Sequence, residues 1–284
     1  MPEDYAGGNT QEYPEEIDSM SVNAKIQHAA QSLASQHVTR QLYSLEDGLM
    51  PIDIDEAYLI QREYQRHISE EQGAVAGYKL AMTTAALQAA NGVSVPCLGL
   101  ILEGNIRQSP CTLAAADFVQ LGIECEVAVR LGVDLLAAGA PYDRGVVSEA
   151  VDSLSTAFEV IDIRRAPGTD AKTQFITGVA ANVYNEGVVL GQAVTSWRDL
   201  DLQAAYGSMT INGEMVGDGH GSDVMGHPLE PLAWLANKLA EQGLGLSAGM
   251  VIITGSIVSP KPLKAGDSAS IMIEGLGGAD INVI

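Results

Sequence analysis

Residues 122–131 read Gly122-Ile123-Glu124-Cys125-Glu126-Val127-Ala128-Val129-Arg130-Leu131. In a β-strand successive side chains point to opposite faces, so Glu124 and Glu126 share one face. The other face carries the apolar odd-numbered residues from Ile123 to Val129. The stretch therefore predicts a strand with one core-facing side and two carboxylates on the other.

Two neighbouring carboxylates on one face leave two interpretations open. Like charges repel, and the arrangement is tolerated when water screens the charges or when a cation neutralises them. Residues 122–131 are compatible with a solvated strand face and with a metal site.

A second stretch, Ala157-Phe158-Glu159-Val160-Ile161-Asp162-Ile163, favours the metal site. Strand alternation places Glu159 on the same face as Ala157, Ile161 and Ile163, and a lone acid on an apolar face needs a partner because burying it unpaired is costly. A metal ion shared with Glu124 and Glu126 would be such a partner. Three carboxylates favour a hard cation, Mg²⁺ or Mn²⁺, and Ca²⁺ is also compatible.

Working outward, short apolar runs separated by glycine and turn residues predict further strands. They are Val75–Leu80, Leu98–Leu102, Val188–Leu190, Val251–Thr254, Ser268–Glu274 and Asp280–Ile284. One helix is predicted among them, opened by Pro228 and closed by Gly243, with an apolar face that lies across a sheet. Residues 75–284 are therefore predicted to form one α+β domain with a mixed, largely antiparallel sheet.

The first 74 residues have a different pattern. Residues 1–18 are polar and predict a disordered leader. Ser21 is a candidate N-cap for a helix running to about Leu42, and Asp53 with Glu56 predicts the start of a helix that stops near Gly73. Residues 19–74 are thus predicted to be a helical cover.

Composition excludes several classes of function. The 36 acidic and 15 basic residues give a formal charge of −21, which repels nucleic acid and anionic lipid. The three cysteines form no C-x-x-C pair, which indicates a reducing, cytoplasmic setting. No apolar run reaches the roughly 20 residues that span a bilayer.

Several other residues are candidates for the site, each with an ordinary structural alternative. Lys79, beside glycine at a strand end, is a candidate to bind a substrate carboxylate or exchange a proton, although most lysines are surface residues. Residues 254–256 form a small-residue strand exit that either approaches a ligand or is simply a turn. His220 and His227 are interpreted as structural, and Cys97 and Cys125 as non-nucleophilic, with Cys125 in the core.

These residues together resemble a known family. The stretches are Gly77-Tyr78-Lys79, Ile123-Glu124-Cys125-Glu126, Phe158-Glu159-Val160-Ile161-Asp162, the segment from Gly221 to Pro228, and Thr254-Gly255-Ser256. They resemble the fumarylacetoacetate hydrolase superfamily, in its 2-keto-4-pentenoate hydratase and 4-oxalocrotonate decarboxylase branch. The resemblance runs from about Ile52 to Ile284.

The resemblance implies a β-roll core, a Mg²⁺ or Mn²⁺ ion on Glu124, Glu126 and Glu159, and a catalytic Lys79. It also implies that Thr83, Thr254, Gly255 and Ser256 bind substrate. The implied function is hydration of a short 2-hydroxy or 2-oxo dienoic acid from aromatic compound catabolism. Decarboxylation of a 4-oxalocrotonate-type acid is the first alternative, a hydrolytic carbon–carbon cleavage the next, and a catalytically silent metal-binding subunit the last. A homo-oligomer that associates with a pathway partner enzyme is also implied.

Two positions depart from the pattern of this branch. An Asp that usually follows the proline of a G-V-x-x-P segment is replaced by Cys97. A D-N-A-S-S segment corresponds to residues 181–185, where only Asn182 is retained and Tyr184 and Asn185 stand in place of serines. Polar groups expected to bind substrate or relay protons are therefore replaced, which predicts an altered substrate choice or reaction outcome.

Overall fold

The computed structural model describes residues 15–168 and 170–284. Within these residues the α-helices are α1 (Glu15–Val38), α2 (Ile54–Gln72), α3 (Ala85–Asn91), α4 (Arg144–Glu149), α5 (Ala171–Ala180) and α6 (Glu230–Ala240). The strands are β1 (Val75–Ala81), β2 (Cys97–Leu102), β3 (Ile106–Gln108), β4 (Cys111–Leu113), β5 (Leu121–Leu131), β6 (Val151–Asp162), β7 (Asn185–Leu190), β8 (Tyr206–Ile211), β9 (Glu214–His220), β10 (Val251–Pro262), β11 (Ser268–Ile273) and β12 (Gly277–Val283). None of the helices in the described part of the chain is both long and apolar enough to cross a membrane.

The strands form two sheets. The larger has the order β2-β1-β10-β5-β6-β7-β3, and its pairs are antiparallel except β1 with β10 and β3 with β7. The smaller has the order β4-β12-β11-β8-β9, with only β4 and β12 parallel. The predicted α+β class with a mixed, largely antiparallel sheet is confirmed.

Two long strands at the centre of the larger sheet set the register of the site. In β5 and β6, Glu124 lies directly opposite Glu159, and Glu126 lies opposite Ala157. The odd-numbered positions of β5 point the other way, and Cys125 is fully buried in the main apolar core, as predicted. The alternation read from residues 122–131 is therefore confirmed.

Helix α2 fastens the N-terminal helices to the larger sheet. Asp53 caps it by accepting a hydrogen bond from the Glu56 amide, and Gly73 ends it, as predicted. Its buried Gln61 side-chain amide donates to the carbonyl oxygens of Leu98 at 3.0 Å and Val179 at 2.7 Å, so one side chain joins α2, β2 and α5. These bonds hold α5, which lines the cavity described below, against α2 and β2.

The first helix differs from its prediction. It begins at Glu15 rather than after Ser21, so the last four residues of the predicted leader are helical, while residues 1–14 lie outside the described residues. The helix ends at Val38 rather than near Leu42, because Arg40 adopts a left-handed backbone with φ of 53°.

Some elements were not predicted. The sequence did not indicate α3, α4, α5, β3, β4, β8 or β9, which are short or carry many exposed residues. The helix expected to open at Pro228 begins at Glu230, because His227 Nδ1 accepts the Leu229 amide and holds the preceding residues in a turn. Missing α5 mattered most, since it lines the cavity described below.

A buried polar cluster joins the end of α1 to the sheet. His37 Nδ1 lies 3.1 Å from the Tyr43 hydroxyl and 3.0 Å from that of Tyr64. The guanidinium of Arg164, which is 2% exposed, donates to Asp162 at 2.7 Å and to the His37 carbonyl at 3.0 Å. Burial and the neighbouring Arg164 lower the pKa of His37 from 6.5 to about 4.

This lowered pKa predicts how stability depends on pH. The unfolded chain protonates His37 near pH 6.5 whereas the folded chain resists until about pH 4, so His37 contributes stability above pH 6.5 that is lost as the pH falls through 4. The loss is roughly 3 kcal/mol at most. We expect His37→Gln to flatten the free energy of unfolding between pH 7 and 4, measured by urea denaturation. His28→Gln, at an exposed position of the same helix, is the control. A His37→Gln profile parallel to wild type would contradict the assignment.

Candidate active site

Three glutamates from β5 and β6 meet on one face of the larger sheet. Carboxylate oxygens of Glu124, Glu126 and Glu159, one from each, all lie within 4.8 Å of one another. Glu126 and Glu159 are fully buried and Glu124 is partly buried. The three acids that the sequence predicted as metal ligands are therefore brought together.

Only some of the carboxylate oxygens have partners from the chain itself. Lys79 Nζ lies 3.0 Å from Glu159 Oε1, and the Asn185 side-chain amide donates to the same oxygen at 2.9 Å. The Gly255 amide donates to Glu126 Oε2 at 2.7 Å. One ammonium group and two N–H donors thus face three acids.

Two carboxylate oxygens of the cluster have no partner within the described residue ranges, and they indicate which kind of group the cluster would bind. Glu126 Oε1 and Glu159 Oε2 are buried and have no hydrogen-bond partner among the described residues. A buried carboxylate oxygen without a partner carries the desolvation cost of its charge, which a coordinated cation would offset. An all-carboxylate donor set suits a hard divalent cation, so the residues fit a metal site.

Burial dominates the electrostatics of the cluster. Burial, followed by the charge of Glu159, raises the pKa of Glu124 to about 8, and the same causes raise the pKa of Glu126 well above its ordinary range. Lys79 is buried too, but Glu159, Glu124 and Glu126 outweigh its desolvation and raise its pKa above the ordinary value. Lys79 therefore stays charged at neutral pH, and it does not by itself compensate the three carboxylates.

A cavity of about 240 Å³ opens above the cluster. Lys79, Cys97 and Glu124 form its polar end. Most of the remaining lining is apolar and comes from β1, β6, α3, α5 and the turn that follows α5. A small ligand with an acidic head and an apolar remainder suits such a cavity.

The predicted substrate-binding residues lie in two places. Thr83 and Ser256 line the cavity, and the Ser256 hydroxyl donates to the Val258 carbonyl. Thr254 and Gly255 are not among the residues that line it, and the buried Thr254 hydroxyl donates to the Val127 carbonyl at 3.2 Å. The Gly255 amide reaches Glu126 because the β10 register shifts between Ile253 and Ser256.

Sequence reasoning missed Asn185 as a partner of Glu159 and missed α5 as the cavity wall. Asn185 drew attention only as a departure from a family pattern, and its side chain supplies one of the two N–H donors of the cluster. Cys97 is fully buried at the polar end, and burial raises the pKa of its thiol to about 12, so it is a neutral group. His220 and His227 do not line the cavity.

The family follows from a comparison with known sequences. Residues 67–284 match the model of the fumarylacetoacetate (FAA) hydrolase C-terminal family, which covers most of the chain and contains all three glutamates. The chain belongs to the fumarylacetoacetate hydrolase family. Individual relatives place it near the predicted branch of that family.

Two relatives are equally similar to the chain in sequence. It is 32% identical over 266 residues to a 2-hydroxyhexa-2,4-dienoate hydratase of Comamonas testosteroni, covering 93% of this chain and 98% of the relative. It is 32% identical over 229 residues to a 4-oxalocrotonate decarboxylase of Pseudomonas putida, covering 81% and 85% respectively. The predicted resemblance to the hydratase and decarboxylase branch is confirmed.

A solved structure of a relative has the same fold as this chain. The 4-oxalocrotonate decarboxylase of Pseudomonas putida G7, complexed with calcium and acetate, superposes with a TM-score of 0.83 at 28% identity, covering 92% of this chain and 98% of that one. The same enzyme has been solved with magnesium and adipate. Divalent cations and small carboxylates are thus found together in that relative.

The unpartnered oxygens predict how metal binding responds to mutation. We expect Mg²⁺ to raise the melting temperature of wild type, because a ligand that binds only the folded state stabilises it. Glu126→Gln should weaken Mg²⁺ affinity at least tenfold, measured by thermal shift across a Mg²⁺ titration. Without Mg²⁺ this variant should be at least as stable as wild type, because it removes a buried carboxyl group whose ionisation is disfavoured by burial and by Glu159. Glu149→Gln, at an exposed position, is the control, and an unchanged Mg²⁺ midpoint in Glu126→Gln would exclude Glu126 from the site.

The backbone conformation of Gly255 leads to a second prediction, about stability and Mg²⁺ binding. Its φ is +117°, and a Cβ there would collide with the Thr83 hydroxyl. Gly255→Ala should therefore cost about 1–3 kcal/mol of stability and weaken Mg²⁺ binding by displacing the amide that holds Glu126. Gly249→Ala is the matched control, since Gly249 has a φ of +87° and open space around it. Equal effects of the two substitutions on Mg²⁺ binding would refute the role of Gly255.

Proposed function

We propose that this protein is a divalent-metal-dependent hydratase, a hydro-lyase that acts on a short 2-hydroxy-2,4-dienoic acid of the 2-keto-4-pentenoate type. The observation that carries the proposal is the pair of unpartnered buried oxygens on Glu126 and Glu159, beside Lys79 at the end of a small cavity. Hydratase relatives with full-length coverage support the reaction class. Glu124, Glu126 and Glu159 would hold Mg²⁺ or Mn²⁺.

The metal would supply the Lewis-acid chemistry, since a divalent cation polarises the 2-oxo group and favours negative charge on its oxygen. The chain's own residues keep the ligands in place. The Gly255 amide orients Glu126, and Asn185 with Lys79 orients Glu159. Residues behind a ligand are important because they fix the ligand's direction and basicity.

Lys79 is proposed to act as a fixed positive charge. Its raised pKa disfavours giving up a proton, so the geometry supports binding of substrate oxygen over proton exchange. Negative charge lies on the C2 oxygen once the dienol has given up its hydroxyl proton. Protonation at C5 then gives the 2-oxo-3-enoate, and negative charge returns to the same oxygen when water adds at C4. A buried ammonium that already faces the cavity stabilises this charge without reorganisation.

Decarboxylation of a 4-oxalocrotonate-type acid is the second candidate. Two observations favour it, namely the superposition on a decarboxylase with a TM-score of 0.83 and the neutral Cys97 at the polar end of the cavity. Loss of carbon dioxide also leaves negative charge on the 2-oxo oxygen, so the same residues would serve both reactions. Release of carbon dioxide from 4-oxalocrotonate, with no hydration of a dienoate, would select this candidate.

We further propose a cytoplasmic, homo-oligomeric enzyme of aromatic compound catabolism. Cys97, Cys111 and Cys125 are all free thiols, which supports a reducing compartment. Association with a partner enzyme of the same pathway is part of this proposal. Sedimentation of the purified protein, alone and with a decarboxylase or hydratase relative, tests the assembly.

The test of function is turnover of 2-hydroxypenta-2,4-dienoate with Mg²⁺. We expect loss of the dienol absorbance and formation of 4-hydroxy-2-oxopentanoate, because ketonisation gives 2-oxopent-3-enoate and one water then adds across its C3–C4 double bond. Lys79→Met should lower kcat about 10²–10³-fold, as the loss of one charge-stabilising donor does in other enzymes. Lys238→Met, at a partly exposed position of α6, is the control.

Lys79 is buried, so each variant is first checked for an intact thermal transition. If Lys79→Met does not fold, Lys79→Arg keeps the charge and is expected to fold with reduced kcat. A protein that binds Mg²⁺ yet turns over neither dienoate nor 4-oxalocrotonate would contradict the proposal and support the catalytically silent subunit.

A further inference from the structure

We propose, resting on the proposed function, that the substrate ends in hydrogen or a short alkyl group rather than in a second carboxylate. Phe175, Val179 and Val183 are inferred to be specificity-determining residues. The relatives include enzymes named for monoacids and enzymes named for diacids, so family membership leaves this choice open. The cavity wall of this chain carries the inference.

Apart from Lys79, Cys97 and Glu124, most of the residues that line the cavity are apolar, and we call these residues the apolar wall. Met82 and Leu87 line it from the β1–α3 side, Ile161 from β6, and Phe175, Val179 and Val183 from α5 and the turn after it. Each apolar carbon that a substrate tail buries here favours binding. A carboxylate buried here would be strongly disfavoured unless a cation met it.

The cavity offers one cation besides Lys79. Among the described residues that line it, only Arg165 is a second positively charged group. Its side chain is exposed, and its guanidinium lies over the Tyr184 ring, 5.5 Å from the centroid. An exposed ion pair improves affinity about fivefold at most, which does not outweigh placing a carboxylate along the apolar wall.

The neutral polar side chains of the lining do not replace a cation, because none of them carries a positive charge. They are Thr83, Asn91, Gln174, Tyr184 and Ser256. The Asn91 amide donates to the Leu87 carbonyl at 2.9 Å, and the Ser256 hydroxyl donates to the Val258 carbonyl. Tyr184 packs its ring on Gly178, where an added Cβ would lie 3.1 Å from the hydroxyl oxygen. Tyr184 thus places a large ring at a position where the 2-keto-4-pentenoate hydratase and 4-oxalocrotonate decarboxylase branch has a serine.

The size of the cavity limits the tail. Its volume of about 240 Å³ is below the roughly 300–1,000 Å³ typical of pockets for drug-sized ligands. A tail of a few carbons is therefore enough to fill it.

The test is a set of affinities for saturated 2-oxo acids, which lack the double bond to be hydrated. Dissociation constants are measured by calorimetry with Mg²⁺ for 2-oxobutanoate, 2-oxopentanoate, 2-oxohexanoate and the diacid 2-oxohexanedioate. We expect affinity to rise about fourfold with each added methylene. The diacid should bind at least tenfold more weakly than 2-oxohexanoate, and equal or tighter binding of the diacid would overturn the inference.

Substitutions inside and outside the cavity lining test whether its apolar residues cause the preference for monoacids over diacids. Phe175→Lys places a cation in it and should bring the diacid to at least the affinity of 2-oxohexanoate. Ala171→Lys adds the same charge at an exposed position of α5 outside the lining and should leave the ratio unchanged. Arg165→Met should change the ratio less than about fivefold. A larger loss of diacid affinity in Arg165→Met would assign diacid recognition to Arg165 and overturn the inference.

The calorimetric ratio needs no turnover, so the two proposals fail separately. A protein that hydrates 2-hydroxypenta-2,4-dienoate but binds the diacid as well as the monoacid refutes only this inference. A protein that prefers the longer monoacids but hydrates no dienoate refutes the proposed function.

Discussion

Repulsion among three carboxylates, two of them fully buried, is the constraint on which the rest of the site depends. A β-sheet brings Glu124 and Glu159 face to face because they are register partners, and Glu126 follows two residues along the same face. Folding takes these groups out of water, and that step is expensive for ionised carboxylates. The chain offsets the cost with one ammonium group and two N–H donors, which leaves room for a dication.

The surroundings of the cluster are arranged to supply those donors. Gly255 has a backbone conformation that side-chain-bearing residues rarely adopt, and this conformation turns its amide toward Glu126. Asn185 stands at the start of β7, beside the strand that carries Glu159. Lys79 comes from β1, two strands away from β5 across β10. Five strands of one sheet therefore hold the acids and their charge partners.

The sequence predicted the centre of this arrangement better than its surroundings. Strand alternation has a period of two residues, so the direction of Glu124, Glu126 and Glu159 could be derived from neighbouring apolar residues. The amide of Gly255 could not be assigned, because its direction depends on a register shift in β10. Helix α5 escaped prediction because it is a ten-residue helix whose exposed first turn and buried last turns leave little periodicity.

The central claim is that Glu124, Glu126 and Glu159 together hold one divalent cation. A crystal structure with Mn²⁺, read by anomalous scattering at the manganese edge, tests this most directly. The account predicts one strong peak coordinated by an oxygen of each glutamate, including Glu126 Oε1 and Glu159 Oε2. Manganese bound only at exposed acids, with these two oxygens still uncoordinated, would contradict it.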